Sequence, residues 1–192
     1  MKKVIVITAT VIMAMTSYSS RLNAQTVSSD NKILVVYYSW SSNGNTRYMA
    51  QQIQKATGAD IFEIVPVHAY PDDYKECVEQ AKIEINNKHK PDIKGTVENF
   101  DAYNIIIVGS PNWCNTIAPP VATFLANYDF KGKTIMPFMT HGSTRLGNAV
   151  NDIEALCPNA TVTSGLPIRG ENVRDESTSS DIAKWLSDNG AN

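Results

Sequence analysis

Residues 32–49 read KILVVYYSWSSNGNTRYM, an apolar run that passes directly into a Ser/Asn/Gly/Thr stretch and then into a helix-forming one. Residues 33–38 are apolar and β-branched almost without interruption, the pattern of a central parallel strand covered on both faces. Polar residues then stop it. Ser39, Ser41, Ser42, Asn43, Asn45 and Thr46 supply hydroxyl and amide groups, and Gly44 lets backbone N–H groups approach a ligand with no Cβ in the way. The helix expected over 45–57 aims its free N–H groups and positive dipole end at the same place, so a phosphate there needs no Arg or Lys. A plain strand-to-helix turn with a Ser or Asn cap accounts for this segment equally well.

Two further runs bear on that choice. Residues 104–109 (NIIIVG) lead into SPNWCN, and residues 133–138 (KTIMPF) lead into MTHGS. In a doubly wound sheet the carboxyl ends of parallel strands share one edge, where ligands bind at the switch in strand order. The second loop offers Pro111, Asn112, Trp113 and Cys114, with the flat indole held in a turn by the proline; such an aromatic is a natural stacking platform. The third offers Thr140, His141 and Gly142. A phosphorylated, planar, aromatic ligand suits all three loops. Trp40 either packs within the first loop or covers the ligand; Tyr70 and Tyr74 are candidates to flank the ligand or form a lid, although aromatics beside a Pro-Asp-Asp turn more often pack locally.

The rest of the chain continues the α/β alternation: a strand over 60–66, helices over 74–87, 119–128, 146–156 and 180–187, and a strand over 161–165. Proline opens the third helix, as helix initiation allows. No internal repeat or low-complexity tract interrupts this single domain. Residues 1–24 read as a secretory signal, with Lys2 and Lys3, an apolar stretch from 4 to 15 and a polar end. That stretch falls short of the roughly 20 apolar residues of a membrane span. A linker over 25–31 would then precede a domain over 32–192, and the mature protein is expected in the periplasm. Lys2, Lys3 and Arg21 leave with the leader, which takes 17 bases to 14 against 19 acids, a formal charge of −5. A basic footprint for nucleic acid is therefore absent.

Other chemistries lack their motifs. Neither G-x-G-x-x-G nor G-x-x-x-x-G-K-[ST] follows the first strand, and no G-x-S-x-G elbow occurs. His68 and His89 have no metal-ligand spacing with His141, so no metal site is expected. Three cysteines leave at least one thiol unpaired within the chain. A Cys77 to Cys157 bridge is disfavoured, because those residues belong at opposite edges of the sheet and a disulfide needs Cα atoms within about 7 Å.

The loops at 37–46 (Y-x-S to G-N-T), 109–113 (G-x-P-x-W) and 140–142 (T-H-G), in this order, resemble the flavodoxin family. The likeness extends from residue 32 to about 170 and includes YPDDY at 70–74 and LCPNATV at 156–162. It implies an α/β fold of five parallel strands in the order 2-1-3-4-5, helices on both faces, and noncovalently bound FMN. The first loop is two residues longer than the compact family form. The resemblance implies that FMN contacts Ser39 to Thr46, Pro111 to Cys114 and Thr140 to Gly142, with His141 beside the pyrimidine end of the ring as the one catalytic candidate. The expected role is electron transfer to a redox partner protein or small acceptor. An FMN-dependent NAD(P)H:quinone oxidoreductase and a flavodoxin-shaped domain without cofactor are the alternatives.

Overall fold

The computed structural model describes residues 31–191; the leader expected over 1–24 and nearly all of the expected linker lie outside them. Among the described residues no helix is long and apolar enough to cross a membrane. In chain order the elements are β1 (Ile33–Tyr37), α1 (Asn45–Thr57), β2 (Asp60–Glu63), β3 (Val65–Pro66), α2 (Tyr74–Asn86), β4 (Ile93–Lys94) and β5 (Ile105–Trp113). Then follow β6 (Thr116–Ile117), α3 (Pro119–Asn127), β7 (Thr134–His141), α4 (Ala149–Leu156), β8 (Thr161–Val162), β9 (Leu166–Arg169) and α5 (Glu176–Asp188).

The main sheet runs β2-β1-β5-β7-β8, with β9 also parallel to β7. Taking β8 and β9 as two parts of one interrupted strand, this is the 2-1-3-4-5 order. Side chains alternate across it with the period of two that a pleated strand imposes. Leu34, Val36, Ile106, Val108, Ile135 and Met139 face one layer with Val121, Phe124 and Leu125 of α3 and Ile153 of α4. Val35, Tyr37, Ile105, Ile107, Met136 and Phe138 face the other, with Met49 and Ile53 of α1 and Ile182, Trp185 and Leu186 of α5. Helices thus cover both faces, and this explains why β1 is buried at every position and reads as a continuous apolar run.

Several boundaries differ from the expectation. The strand expected over 60–66 ends at Glu63; Val65 and Pro66 instead pair antiparallel with Ile93 and Lys94 in a small separate sheet. The strand expected over 161–165 is split. Ile135 pairs with Val162 and Phe138 with Leu166, so three residues face two across a bulge opposite Pro137, which has no N–H to donate. Helix α5 starts at Glu176 rather than 180, and α4 starts at Ala149 rather than 146. The largest difference concerns the second and third loops. Ser110 to Trp113 and Met139 to His141 continue β5 and β7 as strand, because the register between Ser110 and Met139 and between Pro111 and Thr140 is kept past the apolar run. A two-residue turn follows, with Cys114 (φ 49°) and Asn115 (φ 72°) both left-handed and Trp113 paired with Thr116. Two left-handed central residues are what a tight antiparallel hairpin requires. Trp113 is therefore held by strand pairing, not in a proline turn.

All three cysteines are free. Burial pushes the Cys77 and Cys157 thiols up to about 11, and the Cys157 thiol donates to the Leu125 carbonyl at 3.9 Å.

Gly109 shows how closely β5 and β7 pack. A Cβ there would lie 2.1 Å from Cζ of Phe138, a ring with no solvent exposure. Gly109→Ala is expected to lower stability by about 1–3 kcal/mol through overpacking, read as a lower urea midpoint at unchanged slope. A wild-type midpoint would mean that the ring yields freely.

Candidate functional site

One row of paired residues crosses the whole sheet: Glu63, Tyr37, Gly109, Phe138 and Leu166. The candidate residues lie just past it, on the carboxyl side of the same strands. The first loop closes with the Gly44 N–H donating to the Ser41 carbonyl at 2.8 Å. Gly44 is the N-cap of α1 in left-handed backbone (φ 58°, ψ 36°), and no side chain caps the helix. The Ser- or Asn-capped turn is thus not what forms here, and the first-turn N–H groups keep the open end that suits an anion. Thr46, in that turn, is 2% exposed and its hydroxyl bonds the Thr140 hydroxyl at 2.7 Å. This pair ties the first loop to the end of β7.

The second and third loops are tied as firmly. Asn112 Nδ2 donates to the Arg145 carbonyl at 2.9 Å, and the Asn148 N–H to the Asn115 carbonyl at 2.8 Å. Gly147 lies so near the hairpin that a Cβ would meet the Asn115 carbonyl oxygen at 2.3 Å. Cys114 is exposed at the turn, and Gly142 faces open space. Trp113 is half-buried, with Tyr38, Trp40 and Tyr70 edge-on to it at centroid distances of 5.5, 6.0 and 4.8 Å. Trp40 is pinned in turn, its Nε1 donating to the Pro71 carbonyl at 3.0 Å. Tyr70 is buried, and its hydroxyl donates to Glu84; it is a packing partner, while Tyr74 is exposed.

Three buried polar atoms have no hydrogen-bond partner among the described residues: Ser39 Oγ, Asn112 Oδ1 and His141 Nδ1. Ser39 lies two residues past β1, and Asn112 and His141 lie at the carboxyl ends of β5 and β7. Burial holds the His141 imidazole below its ordinary pKa, and the positive Arg145 and Arg169 add to that effect.

The fold also brings two guanidinium groups to the first loop, where the sequence called for none. Arg47 pairs with Glu63, which also accepts from the Tyr37 hydroxyl at 3.0 Å. Arg174, at 129 positions from Asn45 in sequence, donates to Asn45 Oδ1 at 2.8 Å and to the Asn43 carbonyl at 2.7 Å. Its guanidinium also lies 4.8 Å from the centre of the Tyr48 ring. Nothing local marks Arg174; the NVRDE segment reads as a charged loop.

The sequence profile of the flavodoxin family, described as Flavodoxin, matches residues 32–189. The chain belongs to the flavodoxin family. Among solved structures, a candidate flavoprotein from Bacteroides eggerthii is 28% identical, with TM-score 0.72 over 82% of this chain and 97% of that one. A flavoprotein from Lactobacillus acidophilus in complex with FMN is 25% identical, with TM-score 0.63 over 81% and 98% of the two chains. A Fusobacterium nucleatum flavodoxin bound to flavin mononucleotide shares the fold at 13% identity, with TM-score 0.52 over 83% and 97%. No curated protein is a detectable relative of this chain.

For this flavodoxin-family site two outcomes are expected. Thr46→Val leaves the buried Thr140 hydroxyl unpaired and should cost about 1–3 kcal/mol in urea unfolding, whereas Thr46→Val with Thr140→Val should recover much of it. Equal loss in both variants would show that the pair does not couple. The second outcome concerns His141. Its folded pKa lies below the unfolded value of about 6.5, so the unfolded chain takes up the proton first. The His141 contribution to stability is complete above that pH and is lost as pH falls from there through the folded pKa. NMR titration of the imidazole should give a midpoint below about 6.5 that rises in Arg145→Gln; an unchanged midpoint would remove Arg145 as a cause.

Proposed function

We propose that this protein binds FMN noncovalently across its three loops and works as an electron-transfer flavoprotein. The observation that carries the reading is that Ser39 Oγ, Asn112 Oδ1 and His141 Nδ1, each buried and without a hydrogen-bond partner among the described residues, all belong to the carboxyl edge of the sheet. Each such atom costs about 1–3 kcal/mol when left without a partner. A ligand with a polar ring edge and a hydroxylated side chain offsets that cost. The uncapped α1 terminus behind Gly44 supplies N–H groups for a phosphate, and Trp113, held in plane by strand pairing and three aromatic neighbours, supplies an apolar surface for a flat ring. The residues present therefore fit FMN, and the Lactobacillus acidophilus flavoprotein with FMN supports the same ligand.

When bound, FMN supplies reversible one- and two-electron chemistry. The chain's own part is binding and electrostatics. Ser41 to Thr46 hold the phosphate end, and Asn112 and His141 meet polar atoms of the ring. The imidazole, held below its ordinary pKa by burial and by Arg145 and Arg169, offers in its neutral form either a donor or an acceptor there, according to its tautomer. Arg169 is paired with Glu171 at 3.0 Å, so the positive Arg145 is what makes that end of the site favourable for added negative charge.

The test is an absorption spectrum of the purified protein after incubation with FMN and desalting, followed by NADPH under anaerobic conditions. Retained flavin that NADPH does not bleach is the expected result. Rapid bleaching would replace the carrier role with that of an NAD(P)H-dependent oxidoreductase, and loss of flavin on desalting would remove the cofactor itself.

A further inference from the structure

The first loop is longer than the compact family form, and its extra residues, with no side-chain cap behind them, need something to hold their shape. Residues 170–174, between β9 and α5, do so. Val173 is 1% exposed and belongs to the core layer of α1 and α5, which anchors this strap from below. The Asn172 carbonyl accepts from the buried Thr178 hydroxyl at 2.7 Å and from the Asp175 N–H at 3.0 Å. Asp175 is in turn held by Asn172 Nδ2 at 2.6 Å. Gly170 lies against the loop so closely that a Cβ would meet Asn45 Nδ2 at 2.9 Å. Arg174 is thus presented to the loop by a well-braced turn.

The two guanidinium groups at the loop differ in one respect that decides their roles. The Arg47 charge is already matched by Glu63. Arg174 makes no ion pair among the described residues; its two hydrogen bonds go to a neutral amide oxygen and a backbone carbonyl. A full positive charge therefore stands unmatched beside the uncapped N-terminus of α1. Stacking on Tyr48 and the two fork contacts fix the planar group in one orientation, which a flexible ammonium would not match.

Resting on the FMN reading above, we propose that Arg174 is a specificity-determining residue that makes this site select phosphorylated flavin over riboflavin. It does so by two routes that act on the phosphate end alone. Its fork holds the Asn43 carbonyl and the Asn45 side chain so that the N–H groups of the lengthened loop converge, and its unmatched charge favours a dianion at the helix terminus. The ring end of the site, at Asn112, Trp113 and His141, owes nothing to it. Arg174 is exposed, so its replacement leaves the core intact.

The experiment measures Kd for FMN and for riboflavin by flavin fluorescence quenching, in wild type, Arg174→Gln and Arg174→Lys, with thermal unfolding as a check on the fold. Arg174→Gln is expected to weaken FMN binding about tenfold while riboflavin stays within about twofold, so the loss appears as selectivity. Raising salt should weaken FMN binding more in wild type than in Arg174→Gln, since surface charge is screened. Arg174→Lys should recover only part of the loss, because one ammonium does not span both loop acceptors. Equal weakening of both flavins would overturn the proposal and make Arg174 a general brace; unchanged FMN affinity would overturn it outright, and full recovery by Lys would overturn the role of the fork. Wild-type protein that binds neither flavin would instead overturn the reading on which the proposal rests.

Discussion

The register of five parallel strands is the constraint on which everything else depends. Glu63, Tyr37, Gly109, Phe138 and Leu166 form one continuous row of partners, and the carboxyl ends that project beyond it carry the candidate site. Ser39 stands two residues past this row, just beyond β1, Asn112 three past it on β5 and His141 three past it on β7. A slip of one residue in any strand would turn its side chains to the opposite face. The tight contact between Gly109 and Phe138 resists such a slip at the centre of the sheet, because only a residue without Cβ leaves room for that ring.

Beyond the row, local rules give way to function. Well-packed interiors satisfy nearly all their buried polar groups, yet this edge leaves Ser39 Oγ, Asn112 Oδ1 and His141 Nδ1 without partners. The surroundings are otherwise thoroughly bonded. Thr46 and Thr140 satisfy one another, Asn112 donates to the third loop through its amide nitrogen, and Trp40 donates to Pro71. Stability is thus invested in holding the loops together while three buried polar atoms at the same edge stay unmatched among the described residues. Burial, with Arg145 and Arg169 adding to it, holds His141 below its ordinary pKa, and Arg174, which makes no ion pair among the described residues, stands beside the N-terminus of α1.

The strand-to-helix transition at 37–46 was legible because it is local: an apolar run, a polar break and a helix-forming stretch follow one another within a few residues. The bounds of α1 were legible for the same reason, with Gly44 and Gly58 marking its two ends. Ser110 to Trp113 and Met139 to His141 were misread as loops, since polar and proline residues normally punctuate a strand, whereas here pairing with the neighbouring strand overrides them. The split of the last strand escaped notice because its cause, Pro137, lies on a different strand. The contact of Arg174 with the first loop was not legible, because it joins residues 129 and 131 positions apart.

The sequence by itself determined the order of elements, the two-sided burial of the sheet and the residue types at its carboxyl edge. Each of these follows from periodicity and propensity over short spans. The tertiary structure alone decided which groups meet: Arg174 with Asn43 and Asn45, Thr46 with Thr140, and Trp113 with Tyr38, Trp40 and Tyr70. Those contacts join segments far apart in the chain, and only the shared register and the packing of helices on both faces bring them within hydrogen-bonding reach.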